Sequence, residues 1–385
     1  MKGSDEMKRV VALFMTFVIA FSLVACAKGE TKTEAREGYH LVVDSMNRTI
    51  EVPDNATKIA AMNGPTFEMC LCLGAADRVV LTKKPQTSNY PAALLVYPDV
   101  AKIEGFNNVN PSAVVNIEDY LSRGIDLVLY YNNETELEKF DNVGIAAVTP
   151  ILSTSDITDI DECLNMSVER YKERGAKSMK VTAEALGGDA LEVFDKWEKY
   201  VNNIIDLIYS RTKDLKEEDR PLVYWGNTWG ENILSSYVLT NRAYEIQLAG
   251  GRAVGPTTGG NFPEINEEQL FEWNPDVILV DNHGNSPELV KKQVLKKEKY
   301  KTLSAVQNEA VYRIPAGVFF LDKGSTTALM TLWLATIVQP DLFSDISMVE
   351  ELQKYYKEFY HYELSADDAQ HILDGWYSSS GESNE

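Results

Sequence analysis

Histidine and cysteine are scarce in this chain, four of each in 385 residues. Cys26, Cys70, Cys72 and Cys163 form no CxxC pair, so neither a zinc ribbon nor a dense disulfide scaffold holds the fold. His40 precedes the first expected strand and His361 and His371 fall in the terminal helices, which leaves no convergent set of three imidazoles for a bare zinc or manganese site. No direct metal ligation is expected, His283 being the one imidazole placed to touch a metal. The GxxxxGK[ST], HExxH, GxSxG and GxGxxG motifs are absent. With no nucleophile and base in evident partnership, no enzymatic activity and no cofactor are expected. The alternative is an exported cleft enzyme, a hydrolase using paired carboxylates, which leave no local pattern. Positive charge is short too: 37 Lys+Arg against 58 Asp+Glu give a net charge of −21, which excludes the basic face that nucleic acid requires.

What the chain does have is core-forming material. It is 44% hydrophobic, with 23 glycines and 14 prolines in no repeating pattern, the composition of a folded globular protein. The length is a prior for two domains. Residues 10–24 form an apolar run preceded by Lys8-Arg9 and ending in Leu23-Val24-Ala25-Cys26. This reads as a lipoprotein signal peptide over residues 1–25, with Met1 or Met7 as the start and Cys26 as the lipidated first residue of the mature chain. The run is too short for a permanent membrane helix. Residues 26–38 are polar, as a flexible tether should be. The expected location is the extracytoplasmic face of a cell membrane, held through the lipid anchor alone.

The same phrase then occurs twice. Glu118-Asp119-Tyr120-Leu121 leads after eight positions to Asp126-Leu127-Val128-Leu129, and Glu268-Gln269-Leu270-Phe271 leads after eight to Asp276-Val277-Ile278-Leu279. Each copy reads as a short helix, a turn and a buried strand. A second pair, Phe67-Glu68-Met69-Cys70-Leu71 with Gly74 and Tyr244-Glu245-Ile246-Gln247-Leu248 with Gly251, reads as an amphipathic helix closed by a left-handed glycine and followed by a strand. Two matches in the same order predict two similar three-layer α/β lobes with mostly parallel sheets. Between them, Asp189 can cap a long helix with an apolar stripe through Leu191, Phe194, Trp197, Val201, Ile204, Ile205 and Ile208. The expected organisation is an N-lobe over 39–186, a connecting helix within 187–219, a C-lobe over 220–385, and a ligand cleft between the lobes.

In open parallel sheets ligands sit beyond the carboxyl ends of the strands. The loops expected there supply Asn63, Thr66, Lys83, Lys84, Phe106 and Tyr131 from the N-lobe. The C-lobe supplies Trp225, Trp229, Asn261, Phe262, His283, Phe319 and Phe320. Aromatics and amides dominate, as suits an organic ligand of some size stacked on rings. No arginine falls in these loops. Cys70, Cys72 and Cys163 read as small core residues.

Several stretches carry a family resemblance: residues 42–53 with Lys58-Ile59-Ala60, Leu73-Gly74-Ala75-Ala76-Asp77-Arg78-Val79-Val80, Trp273-Asn274-Pro275-Asp276-Val277-Ile278, Leu303-Ser304-Ala305-Val306-Gln307-Asn308, and the tail with Leu332-Trp333-Leu334-Ala335 and Pro340-Asp341. Together they resemble the substrate-binding lipoproteins of ATP-driven importers for ferric siderophores, haem and cobalamin, over nearly the whole mature chain. The resemblance implies two α/β lobes joined by one long helix, a metal complex as ligand, and an importer permease dimer with its cytoplasmic ATPase as partner. It also implies that Glu118 and Glu268, the repeated glutamates, dock on permease arginines.

Overall fold

The computed structural model describes residues 34–83, 91–106, 115–152, 156–227, 233–281 and 294–376. Residues 1–25, read above as a signal peptide, and Cys26, Lys84, Trp229 and His283 lie outside the described residues. An antiparallel hairpin of β1 (Tyr39–Val43) and β2 (Thr49–Pro53) opens the chain. The N-lobe sheet follows, built from β3 (Ile59–Ala61), β4 (Val79–Lys83), β5 (Glu104–Phe106), β6 (Leu127–Leu129) and β7 (Ala146–Val148). It is parallel throughout, in the order β5-β4-β3-β6-β7. Its helices include α1 (Thr66–Cys72) and α2 (Ile117–Arg123).

Two long helices, α3 (Val168–Leu186) and α4 (Ala190–Thr212), lead to the C-lobe. There β8 (Leu222–Asn227), β10 (Arg252–Val254), β11 (Val277–Val280) and β12 (Val311–Arg313) form a parallel sheet in the order β10-β8-β11-β12, with β9 (Ser235–Ser236) antiparallel on β8. The helices α5 (Leu239–Leu248), α6 (Glu267–Trp273), α7 (Thr327–Val338) and α8 (Met348–Phe359) complete the C-terminal part. The order β4-β3-β6-β7 of the N-lobe recurs as β10-β8-β11-β12, so the repeat read from the sequence is a repeat of topology. Central strands such as Val277-Ile278-Leu279-Val280 are buried at every position, which is why they read as unbroken apolar runs.

The duplicated phrase has a mechanical meaning. α2 ends at Gly124 and α6 at Asn274, both left-handed, and each turn then presents an aspartate to the start of the central strand. The Asp126 carboxylate accepts the Thr57 and Lys58 amides at 2.9 and 3.0 Å, while its own amide donates to Lys58 O. Asp276 repeats this: its carboxylate accepts the Leu222 amide at 2.8 Å and its amide donates to Leu222 O.

Several local expectations change. The helix α1 is buried at all seven positions rather than amphipathic, because it is sandwiched between the N-lobe sheet and the chain around Ser325. The left-handed cap matching Gly74 is Gly250, not Gly251; Gly74 and Gly250 have φ of 73° and 95°, and Ala75 and Gly251 donate to Cys70 O and Ile246 O. Asp189 makes no side-chain capping bond, since its own backbone is already helical. On α4 the expected stripe from Phe194 to Ile208 is buried, whereas Leu191 at the helix start is exposed. His40 lies within β1, where Asp54 and the Glu184 carbonyl hold its ring, and His361 follows α8 with φ 52°. Cys70, Cys72 and Cys163 are buried free thiols.

The aspartate pair gives a direct test. Asp126→Ala, which frees two amides, is expected to lower stability by about 1–2 kcal/mol, and Asp276→Ala, which frees one, by about 1 kcal/mol or less. Urea midpoints with an unchanged m-value would check it; equal or absent effects would show that these carboxylates do not anchor the strands.

Candidate functional site

The lobes approach each other through the chain leaving β3 and the chain leaving β12. Asn63 is buried beyond β3, its amide donating to the Tyr130 and Ile151 carbonyls at 3.4 Å. Thr66 is buried and donates to Asn63 O, fixing the start of α1. The Tyr131 hydroxyl accepts the Gly64 amide, and burial pushes that phenol up to about 12. Phe319 comes across from the C-lobe: a Cβ at Gly64 would lie 3.2 Å from its ring. Phe320 is fully buried beside it. Lys83 and Phe106 close β4 and β5.

On the C-lobe side Trp225 stands inside β8 rather than in the loop after it, and is buried. Phe262 is 42% exposed, its ring edge-on to Tyr237 at 5.1 Å, and the Asn261 carbonyl receives the Val238 amide. These rings surround a residue that the loop-based reading missed. Arg242 projects from α5 with its guanidinium 4.7 Å from the centroids of both Trp225 and Tyr237. Nη1 donates to Glu245 at 3.0 Å and Nη2 to Asp322. The Tyr237 hydroxyl donates to Asp281 at 2.6 Å. Burial works against the Arg242 charge, but Glu245 and Asp322 outweigh it and hold the guanidinium protonated. Burial also pushes the Glu245 carboxyl up, and raises Tyr237 so far that it stays a neutral donor.

A cavity of about 380 Å³ opens on this cluster between the lobes. Ser45, Pro150, Ile151 and Leu152 form its N-lobe wall, Tyr171, Arg174, Lys177 and Ser178 of α3 its side, and Tyr237, Asn241, Arg242 and Glu245 its C-lobe wall. Arg174 pairs with Asp156 at the rim. The charged residues lining it are Arg174, Lys177 and Arg242 against Asp156 and Glu245. Among the described residues no three His, Cys, Asp or Glu side chains converge as metal ligands. The signal that could have exposed Arg242 is that it and Glu245, at i and i+3, are the two charged residues of an otherwise uncharged helix.

Glu118 and Glu268 are both exposed, each the second residue of its helix, α2 or α6. The repeat therefore carries them at equivalent points of the two lobes. The α6 start is held by a reciprocal Asn266–Gln269 capping box, while α2 begins after Asn116 with no side-chain cap.

Removing the arginine should be costly, because it leaves Asp322 and Glu245 buried without their partner. Arg242→Met is expected to lower stability by about 3–5 kcal/mol, and Tyr237→Phe by about 1–2 kcal/mol. Chemical denaturation of both variants checks this; a loss for Arg242→Met no larger than for Tyr237→Phe would show that the cation is dispensable.

Known proteins share this architecture at low sequence identity. The chain is 22% identical over 362 residues to the molybdate-binding protein MolA of Haemophilus influenzae, a match covering 90% of this chain and 98% of that one. It is 29% identical over 191 residues to the high-affinity heme uptake system protein IsdE of Staphylococcus aureus, covering 44% of this chain and 62% of that protein. Among solved structures, MolA bound to molybdate superposes with a TM-score of 0.70 at 21% identity, over 85% of this chain and 99% of that one. A periplasmic solute binding protein from Veillonella parvula gives 0.68 at 20% identity, over 87% and 96%. The family model for periplasmic binding protein matches residues 59–318, from the first strand of the N-lobe sheet to the chain beyond β12, and the chain belongs to that family.

Proposed function

We propose that this chain is the solute-binding component of an ATP-driven importer, that its ligand is a metal complex such as a ferric siderophore, haem or a related corrinoid, and that it hands this ligand to a membrane permease. The observation that carries the reading is a cavity between two pseudo-symmetric lobes whose lining has three cationic side chains against two carboxylates, in a chain of net charge −21. A wall of that sign on so acidic a protein suits an anion, and ferric catecholates and the propionates of haem supply one. Tyr171 and Tyr237 add aromatic surface. A second reading, a small metal oxyanion, is favoured by the likeness to MolA along nearly its full length and by a volume near the lower end of small-molecule pockets, roughly 300–1,000 Å³. In either case the protein returns its ligand unchanged, unlike a hydrolase. Anchoring through Cys26 would keep it on the extracytoplasmic face of the membrane, beside the permease.

Tryptophan-fluorescence titration against ferric hydroxamates, ferric catecholates, haem, cobalamin and molybdate tests the ligand class. Saturable binding of one of the iron or corrinoid ligands supports the first reading and of molybdate the second; no saturable binding by any of them overturns both.

The permease contact has its own test. Glu118→Arg and Glu268→Arg are expected to leave ligand affinity within about twofold while impairing uptake, since rim charges act through encounter and register. Both residues are surface carboxylates at helix starts, where the dipole alone would also favour them. Normal uptake by the double variant at matched expression would leave them with that local role only.

A further inference from the structure

Glu68 carries a carboxyl group buried at the junction between the N-lobe and the C-terminal helices. It projects from α1 of the N-lobe, is 2% exposed, and among the described residues no lysine, arginine or histidine pairs with it. Its partners belong to other parts of the chain. Oε2 accepts the Ser325 amide at 3.0 Å, and Oε1 accepts the Ser325 and Tyr360 hydroxyls. The Ser325 carbonyl in turn receives Trp197 Nε1 from α4 at 2.9 Å and the Tyr355 hydroxyl from α8 at 3.2 Å. Cys72 Sγ lies 3.5 Å from the same Tyr355 hydroxyl. Gly324, at φ 70°, lets the chain pass directly over the carboxyl, where a Cβ would fall on Oε2. N-lobe, connecting helix and C-terminal helices therefore meet around one carboxyl group.

We propose that Glu68 is a positioning residue that pins the two lobes at one spacing while its carboxyl is protonated, and that ionising it loosens the junction and with it the interlobe cavity. The inference rests on reading that cavity as the ligand site. The physical case is the cost of a buried carboxylate without a cation, only partly met by three donors. The titratable groups facing it are Cys70 and Cys72 on its own helix and Tyr355, Tyr356 and Tyr360 from the C-terminal helices, all neutral when the carboxyl is. Burial raises the Glu68 carboxyl above its ordinary range, ahead of the lowering by the Ser325 and Tyr360 hydrogen bonds. The sign follows: a carboxyl raised in the joined state stabilises it at low pH, and that stabilisation is lost as pH rises through the raised value.

The measurement is the distance between spin labels on Ser122→Cys and Glu272→Cys, exposed sites on α2 and α6, in a Cys26→Ala background from about pH 5 to about pH 9. The native Glu68 protein is expected to give a distribution that broadens as pH rises, and Glu68→Gln, neutral throughout, one that stays narrow. Tyr360→Phe, which removes a donor to the carboxylate, should move the broadening to higher pH. A native distribution that ignores pH, or a Glu68→Gln protein that broadens in the same way, overturns the proposal, as does an unshifted Tyr360→Phe. Should Glu68→Gln fail to fold, the Tyr360→Phe shift decides alone. No ligand is involved, so failure here leaves the ligand titration standing, and failure there leaves this result intact.

Discussion

The donors offered to Glu68 come from Ser325 and Tyr360, far along the chain from the helix that carries it, so the carboxyl is satisfied by the way the N-lobe and the C-terminal part fit together. Desolvating such a group without a partner costs several kcal/mol, so a displacement that breaks these bonds without admitting water is strongly opposed. The same residue, Ser325, accepts from Trp197 and Tyr355 through its carbonyl, which ties the connecting helix to the same point. α4, a rod of about 35 Å from 23 residues, is thus tied to the junction at Trp197, its eighth residue. On the proposal made above, the spacing of the cavity walls would follow from this junction.

Duplication supplies the second constraint. A parallel strand pair needs its central strand registered against the next, and in both lobes an aspartate after a left-handed turn does this by accepting amides at the strand start. The glutamates eight positions earlier, Glu118 and Glu268, are carried along at matched places by the same helix–turn–strand unit. Their equivalence is thus a by-product of a structural device, and on the proposed docking role a two-fold partner would need no further adaptation of the fold.

The sequence made the parallel lobes, the long helix and the family legible because those depend on periodicity and on short apolar strands, which are local. Trp225 was misplaced into a loop because its strand runs on through Gly226 and Asn227, two residues that normally signal a turn. Thr66 and Phe320 were read as cleft residues from their position after strands, yet Thr66 closes a hydrogen bond within its own loop and Phe320 fills the core. Arg242 and Glu68 were overlooked as site and junction for a shared reason. Each sits on a helix, and what makes it unusual is a partner 80 or 257 residues away, which no local pattern contains.

Arg242 and Glu68 also show two opposite ways to bury charge in an acidic chain. Arg242 is held between two aromatic rings and forked onto Glu245 and Asp322, so its cation is fixed in place and compensated by carboxylates at once. That makes the C-lobe wall rigid but leaves less of its positive charge for a ligand. The excess cation of the cavity is then Lys177 on α3, exposed at the side, on a helix that packs against α4 and so answers to the Glu68 junction. On the proposed reading, an anion entering the cavity would be oriented by the buried rings of one lobe and drawn by the exposed ammonium of Lys177 on the helix beside the other. Selectivity for ligand shape and attraction for ligand charge are in this way assigned to different elements, and only the spacing between the lobes decides whether one molecule can satisfy both.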